Sequence, residues 1–400
     1  MHSIEYMIQK IQLKEHSKIL QQFSNNLTLF VGWLGILFCG LGAVGLVANI
    51  ASIFTLLSPE MRKHTFNQLL AALAFYDIMY IMFNVPVHAM ATMETVENWF
   101  TNSSFLSLIY VYLLYPMSAV AFCASTYMTL AVTIERYIAV CRPHQYRTIS
   151  QTMTNTRRIL VYIIPVTALS FALNIPKFME VTITETNGTN AVDPSQTRKD
   201  PTFIFWYTLS LAWHPTLTTG ILPFIALLYM NMHIFIGIRK SRQILSGRRN
   251  HKRASESNLA ITLISIVFMH LLCNALRVFL GVMIVLLVDV QVSCMRDYQQ
   301  YIPPLWIMCL ESVAHLLVML NFSSNFLVYC SVSSQFKTAL TSACPLPDWL
   351  KVLCKARPEI AENGQGGEIP LNNQVEMTTR KAEGGEEVET NPDEINVCQV

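Results

Sequence analysis

The 400-residue chain is 52% hydrophobic and only 14% charged, with a formal net charge of +2. So much apolar surface has no aqueous core to fill, which excludes a soluble two-domain protein. The composition instead places the chain in a lipid bilayer, as an all-α membrane protein.

Seven apolar stretches are long enough to cross a bilayer as helices. With ends uncertain by about 2–4 residues, they run from Phe30 to Leu57, Phe66 to Met90, Phe105 to Val140, Ile159 to Met179, Phe203 to Ile238, Leu259 to Asp289 and Pro304 to Val332. The pattern predicts a seven-transmembrane helix bundle over residues 30–332, preceded by an N-terminal tail of residues 1–29.

Basic residues concentrate on one side of the predicted membrane. The odd-numbered connections carry Arg62, Lys63, Arg142, Arg147, Arg157, Arg158, Arg239, Lys240, Arg242, Arg248, Arg249, Lys252 and Arg253, whereas the even-numbered ones carry Arg198, Lys199 and Arg296. By the positive-inside rule, the N-terminal tail is therefore outside. Three Asn-X-Ser/Thr sites fall on that outer side, and we expect glycosylation at Asn26, Asn102 and Asn187.

Polar side chains interrupt the first three apolar stretches and the seventh. They are Asn49, Asp77, Ser125, Asn321 and Asn325. Because such residues are costly inside a bilayer, we expect them to contact one another. The resulting polar core could share hydrogen bonds, a proton or a sodium ion, and the alternative is that these side chains only hold helices together.

The third stretch ends on the cytoplasmic side with Glu135, Arg136 and Tyr137. An arginine at this depth needs a neighbour to share its charge, so we expect a hydrogen bond between Glu135 and Arg136 that could act as an activation switch. An ion pair that only anchors the helix end is the alternative.

The outer half of the seventh stretch carries Glu311 and His315, which are spaced i, i+4 and share one helical face. An unpaired carboxylate would be costly there, so Glu311 should face the bundle. Its partner is either a cation on a ligand or Arg277 of the sixth stretch, and the sequence leaves both open.

Three features follow the seventh stretch. Phe336, Lys337 and Leu340 have helical spacing, which predicts a short amphipathic eighth helix on the inner membrane surface within residues 333–344. Cys344 is a candidate for palmitoylation, and an unmodified thiol is the alternative. Residues 345–400 are rich in Gly, Glu, Asn and Thr and predict a disordered cytoplasmic tail.

Several of these motifs resemble those of rhodopsin-like (class A) G protein-coupled receptors. They are Asn49, Leu73-Ala74-Phe75-Tyr76-Asp77, Glu135-Arg136-Tyr137, Pro223 and Asn325-Phe326-Leu327-Val328-Tyr329. Further segments resemble invertebrate FMRFamide-type neuropeptide receptors: His64-Thr65-Phe66-Asn67, Leu114-Tyr115-Pro116, Asn174-Ile175-Pro176-Lys177-Phe178-Met179-Glu180 and Ser324-Asn325-Phe326-Leu327-Val328-Tyr329-Cys330. The resemblance implies an activation switch that includes Glu135, Arg136, Tyr137, Asn325 and Tyr329.

The chain also departs from the class pattern. Val111 lies near the position of the usual third-helix cysteine, the sixth stretch lacks the Trp-x-Pro element, and Asn231 occupies the place of a tyrosine in the fifth. The resemblance therefore leaves open how the sixth helix switches.

The type of ligand can be narrowed by the same resemblance. An amine receptor would need an aspartate 18 residues before Arg136, about 27 Å along the helix, but that residue is Ser118. Peptides ending in Arg-Phe-amide carry a cation, for which Glu311 and Glu180 are candidate partners. We therefore expect a ligand site formed by Ser118, Glu180, Arg277, Glu311 and His315.

These observations predict a multi-pass plasma-membrane receptor for an extracellular peptide, which signals through a heterotrimeric G protein. We expect no enzymatic activity, no nucleic-acid partner and no cofactor, with sodium as a possible allosteric ion. Membrane lipids are expected to contact the basic segment Arg239–Arg253, and tail residues such as Thr378 could recruit arrestin once phosphorylated. A chemosensory receptor for a small molecule is the alternative, ahead of a channel or a transporter.

Overall fold

Seven long apolar helices form a bundle in the computed structural model, which describes residues 32–97, 104–179, 181–186, 189–194, 214–244, 251–287 and 305–343. The helices are α1 (Gly32–Leu56), α2 (Thr65–Glu97), α3 (Ser104–Ile109, the π-helical turn Tyr110–Leu114 and Tyr115–Cys141), α4 (Pro143–Thr152), α5 (Asn155–Asn174, extended by the 3₁₀ turn Ile175–Met179), α6 (the π-helical turn Thr216–Ile221 and Leu222–Ile244), α7 (His251–Leu286), α8 (Leu305–Val332) and α9 (Ser334–Ala343). The predicted seven-helix fold class is confirmed, with α1, α2, α3, α5, α6, α7 and α8 as the spanning helices.

Helix α3 lies inside the bundle and packs against α2, α5 and α6, while α7 packs mainly against α8. The largest apolar cluster fills the cytoplasmic half of the bundle and includes Leu73, Met128, Val132, Leu263 and Tyr329. Large apolar side chains also cover the outer surface of the spanning helices, as expected where a helix faces lipid.

The first and last spanning helices meet closely at Gly45. A Cβ atom at this position would overlap the side chain of Ser323 on α8. Two hydrogen bonds join the same pair of helices, from the Ser323 hydroxyl to the Leu41 carbonyl (3.0 Å) and from the Asn49 amide to the Phe322 carbonyl (2.8 Å). Glycine at residue 45 therefore permits the backbone contact that places Asn49 against α8.

The eighth helix is confirmed as α9. Ser333 caps its first turn, because the Ser333 hydroxyl accepts a hydrogen bond from the Phe336 amide at 3.2 Å. Phe336 and Leu340 are each 1% exposed, and the Phe336 ring packs against Phe326 and Tyr329 of α8. The apolar face of α9 is thus fixed to the cytoplasmic end of α8.

Two elements were not predicted from the sequence. Helix α4 follows α3 directly, with Pro143 at its first position, where a missing amide proton costs nothing. A β-hairpin follows α5 and pairs β1 (Val181–Thr186) antiparallel with β2 (Thr189–Pro194), so that Thr186 lies opposite Thr189.

Candidate ligand cavity and signalling core

The predicted polar core centres on Asp77, whose side chain is fully buried between α2, α3 and α8. The Ser125 hydroxyl donates to Asp77 Oδ1 at 2.5 Å, and the Asn325 amide donates to Asp77 Oδ2 at 2.7 Å. The structure therefore brings these three residues together. The described residues supply only neutral donors to this carboxyl group, so a negative charge on Asp77 would be solvated by dipoles but not cancelled.

The other two polar residues have different partners. Asn49 donates to the backbone carbonyls of Gly45 and Phe322. The Asn321 amide lies 3.4 Å from Nδ1 of His270 on α7, and its backbone carbonyl accepts from Ser324. Both asparagines join helices around the core without bonding Asp77.

Glu135 has two hydrogen-bond partners on α5 that the sequence did not predict. Arg158 of α5 donates to Glu135 Oε1 at 2.6 Å, and the Tyr162 hydroxyl donates to Oε2 at 2.9 Å. The Glu135 and Arg158 side chains are 1% and 5% exposed. Arg158 also places its guanidinium 4.3 Å from the centre of the Tyr146 ring, which belongs to α4. Glu135 therefore holds α3 to α5, and through Arg158 to α4.

Arg136 contacts the start of α2. Its guanidinium carbon lies 3.6 Å from the centre of the Phe66 ring at the start of α2. The neighbouring Tyr137 turns toward α6, where its ring meets His233 edge-on at 6.2 Å. On α8, the buried Tyr329 hydroxyl has no hydrogen-bond partner among the described residues. Successive residues of the Glu-Arg-Tyr motif thus contact three different helices.

A cavity of about 280 Å³ opens near the outer ends of α5, α6, α7 and α8. Each of these four helices contributes polar side chains to its lining, which are Lys177, Thr216, Asn274, Arg277, Glu311 and His315. Thr216 belongs to the π-helical turn of α6, and its side chain packs so close to Gly281 of α7 that a Cβ there would overlap it. The Thr218 carbonyl in the same turn accepts from the Tyr127 hydroxyl at 2.9 Å, which anchors the turn to α3.

Arg277 and Glu311 line the same cavity but have different contacts among the described residues. Arg277 stacks over the Phe122 ring, with its guanidinium carbon 3.5 Å from the ring centre. Glu311 approaches His315 at only 3.9 Å, and its side chain is 51% exposed. Among the described residues, no ion pair joins Glu311 to Arg277, so this predicted alternative for Glu311 is not the arrangement in the structure.

The ligand site predicted from the sequence also includes Ser118 and Glu180. Ser118 donates to the Tyr115 carbonyl within α3 at 2.7 Å and does not line this cavity. Glu180 lies outside the described residues, as do Asn26, Asn102, Asn187, Cys344 and Thr378.

Sequence reasoning missed several residues of these sites. Arg158 and Tyr162 hold Glu135, and Phe122 supports Arg277. Arg158 was counted only as one of many cytoplasmic basic residues. Its distinguishing signal was its place four residues before Tyr162, which puts both on one face of α5.

Comparison with known proteins agrees with this arrangement. The sequence model described as 7 transmembrane receptor (rhodopsin family) matches residues 48–333. The chain belongs to this family. It is a multi-pass plasma-membrane protein, and membership of the rhodopsin family points to a receptor rather than an enzyme.

Several curated relatives of this rhodopsin-family receptor carry peptide names. The FMRFamide receptor of Drosophila melanogaster is 28% identical over 315 residues, which cover 76% of this chain and 52% of the relative. The FMRFamide peptide receptor frpr-18 of Caenorhabditis elegans is 26% identical, with coverage of 74% and 66%. The Sex peptide receptor of Drosophila melanogaster is also 26% identical, with coverage of 74% and 68%. The matched region thus spans about half of the first relative and about two thirds of the others.

Proposed function

We propose that this protein is a G protein-coupled receptor for an extracellular peptide of the FMRFamide type. The observation that carries the proposal is the outer cavity, in which Glu311 presents a half-exposed carboxylate that no arginine or lysine of the described residues pairs. Peptides that contain arginine supply the missing cation. The names of the relatives support the same ligand class and do not favour a small-molecule chemosensory receptor.

A response screen in transfected cells tests this function. Cells that express the receptor should answer Arg-Phe-amide peptides with a calcium or cyclic-AMP signal, and mock-transfected cells should not. Arg136→Ala should reduce the signal and leave peptide binding intact, because Arg136 lies at the cytoplasmic end of α3, far from the cavity. Silence toward every peptide, together with a response to small polar compounds, would support the chemosensory alternative.

Signal transmission follows from the positions of the switch residues. Peptide binding between α5, α6, α7 and α8 would favour a state in which the cytoplasmic end of α7 moves outward. Arg136 would then leave Phe66 and contact the G protein, while Asn325 and Tyr329 adjust on α8. Because Glu135 is bound to Arg158 and Tyr162, its role in this scheme is to hold α3 against α5.

The polar core is the proposed site of ionic regulation. Asp77 places a fully buried carboxyl group there, and the Ser125 hydroxyl and the Asn325 side-chain amide donate hydrogen bonds to it. Carboxylate and hydroxyl oxygens are ligands of hard cations, so a sodium ion would bind Asp77 and Ser125 once their hydrogen bonds rearrange, and a proton on Asp77 is the alternative. The cation would stabilise the resting arrangement of α2, α3 and α8.

The cytoplasmic side carries the remaining proposed partners. The basic residues that follow α6 would contact both a G protein and anionic lipid. Phosphorylated Thr378 would recruit arrestin, and a palmitoyl group on Cys344 would add a membrane anchor after α9. Metabolic labelling with an alkynyl palmitate, compared between wild type and Cys344→Ser, tests the last point directly.

A further inference from the structure

Arg277 is a cation that the described protein leaves without a counter-charge. It lies on α7 against the cavity, and its recorded contact among the described residues is the face of the Phe122 ring. Its guanidinium forms no hydrogen bond or ion pair with any described residue. A guanidinium carries five N–H donors in a fixed, planar arrangement, and Arg277 is one of the residues that line the cavity.

The neighbouring groups increase this positive charge. Lys177 also lines the cavity, and its ammonium donates to the neutral Tyr115 hydroxyl at 3.1 Å. Among the described residues that line the cavity, Glu311 is the one carboxylate. A ligand cation bound to Glu311 would leave Arg277 without a counter-charge among the described residues, so a negative group on the same ligand would balance it.

We propose that Arg277 binds a carboxylate of the ligand, so that the cavity takes a peptide segment with an acidic group close to its basic one. Arginine suits this task because its N–H groups match the two oxygens of a carboxylate, whereas a carboxamide offers a single neutral acceptor. Stacking on Phe122 fixes the plane of the guanidinium before the ligand arrives. In an amidated peptide the carboxylate comes from an Asp or Glu side chain, and in a peptide that is not amidated it can come from the C-terminus. The proposal rests on the outer cavity being the ligand site.

Two matched pairs of small probes test the proposal on the purified full-length receptor. N-acetylphenylalanine and N-acetylphenylalaninamide differ only in the C-terminal carboxylate, and N-acetylaspartamide and N-acetylasparaginamide differ only in the side-chain one. The measurement is the thermal unfolding midpoint as a function of probe concentration. At least one acid should act at a concentration about tenfold lower than its amide, the ratio expected for one charge-assisted hydrogen bond.

The variant Arg277→Gln should abolish this acid-over-amide ratio, whereas Arg157→Gln, an exposed arginine on α5, should retain it. If Arg277→Gln does not fold, Arg277→Lys keeps the charge and should reduce the ratio by losing the paired contact. The pair that shows the ratio identifies the source of the carboxylate. Equal action of acid and amide at the wild type, or a ratio that survives Arg277→Gln, overturns the proposal.

This outcome is separable from that of the peptide screen. If Arg-Phe-amide peptides activate the receptor and the probes show no ratio, the carboxylate site fails and the peptide function stands. If the probes show the ratio and every peptide is silent, the carboxylate site stands and the proposed peptide class fails.

Discussion

The charged residues at the inner end of the bundle are arranged differently from those at its outer end. At the inner end, Glu135 and Arg158 are almost fully buried and 2.6 Å apart, with Tyr162 completing the carboxylate's hydrogen bonds. At the outer end, Glu311 and Arg277 line one cavity without pairing. A buried pair satisfies itself and holds helices together, whereas separated charges facing a cavity remain available to a ligand. Charge at the inner end thus holds helices together, and charge at the outer end is available to the proposed ligand.

The largest expected effect comes from breaking the inner pair. Arg158→Ala leaves the buried Glu135 carboxylate without its cation, and loss of one partner of a buried ion pair costs about 3–5 kcal/mol. We expect a marked fall in the thermal unfolding midpoint and in surface expression. The exposed neighbour Arg157 gives the control, since Arg157→Ala should leave both unchanged.

Removing both charges sharpens this prediction. The double variant Glu135→Gln with Arg158→Met should recover part of the lost midpoint, because neither member of the pair is then left as an unpaired buried charge.

Glu135→Gln alone should raise basal signalling, because α3 is released from α5. Basal signalling at the wild-type level, with normal expression, would reduce the cluster to a structural anchor.

Substitution of a charged residue at the outer end should change the affinity for the ligand. Glu311→Gln removes a charge-assisted hydrogen bond to a ligand cation, worth roughly 1.5–3 kcal/mol. An arginine-containing peptide should then bind about one to two orders of magnitude more weakly, at ten-fold per 1.4 kcal/mol. Radioligand competition measures this, with the exposed cytoplasmic Glu60→Gln as the control.

A peptide with citrulline in place of arginine provides the cross-check. It should bind the wild type more weakly than the arginine peptide and be nearly insensitive to Glu311→Gln. If both peptides lose affinity equally in the variant, Glu311 supports the helix interface through His315, and its carboxylate does not bind the ligand cation.

Asp77 is intermediate between the two ends, since its charge is buried but its described partners are neutral. If sodium occupies the core, raising sodium should lower agonist affinity at the wild type by about fivefold or more, the lower range of allosteric coupling. Asp77→Asn should abolish this dependence. Potassium replaces sodium in the control titration, and equal sodium sensitivity in wild type and variant would favour a proton in the core.

Ser118 should give the smallest effect. Its hydroxyl bonds the Tyr115 carbonyl inside α3 and it does not line the outer cavity. Ser118→Ala should therefore change peptide affinity by less than about 0.5 kcal/mol, the usual limit for a substitution away from a site. A loss as large as that of Glu311→Gln would extend the ligand site into α3.

The sequence predicted the features that depend on hydrophobicity and on the free-energy cost of burying polar groups. Apolar length located the spanning helices, and the cost of polar groups in a bilayer predicted contacts for Asp77 with Ser125 and Asn325. It did not predict Arg158 and Tyr162 as partners of Glu135, because these contacts depend on how α3 and α5 are rotated against each other. The rotation of α8 likewise directs Asn321 to His270. These angles arise from packing across the whole bundle, which no single helix encodes.

The contact between α1 and α8 has a consequence for biosynthesis. Helix α1 is translated first and α8 is the last spanning helix to leave the ribosome. Until then, the Asn49 amide inside the membrane has an acceptor on its own helix, the Gly45 carbonyl at 2.9 Å. The second acceptor, the Phe322 carbonyl, comes from a segment made 273 residues later. The Asn49 amide can thus be partly satisfied within α1 alone, and its contact with α8 can form only after α8 has been translated.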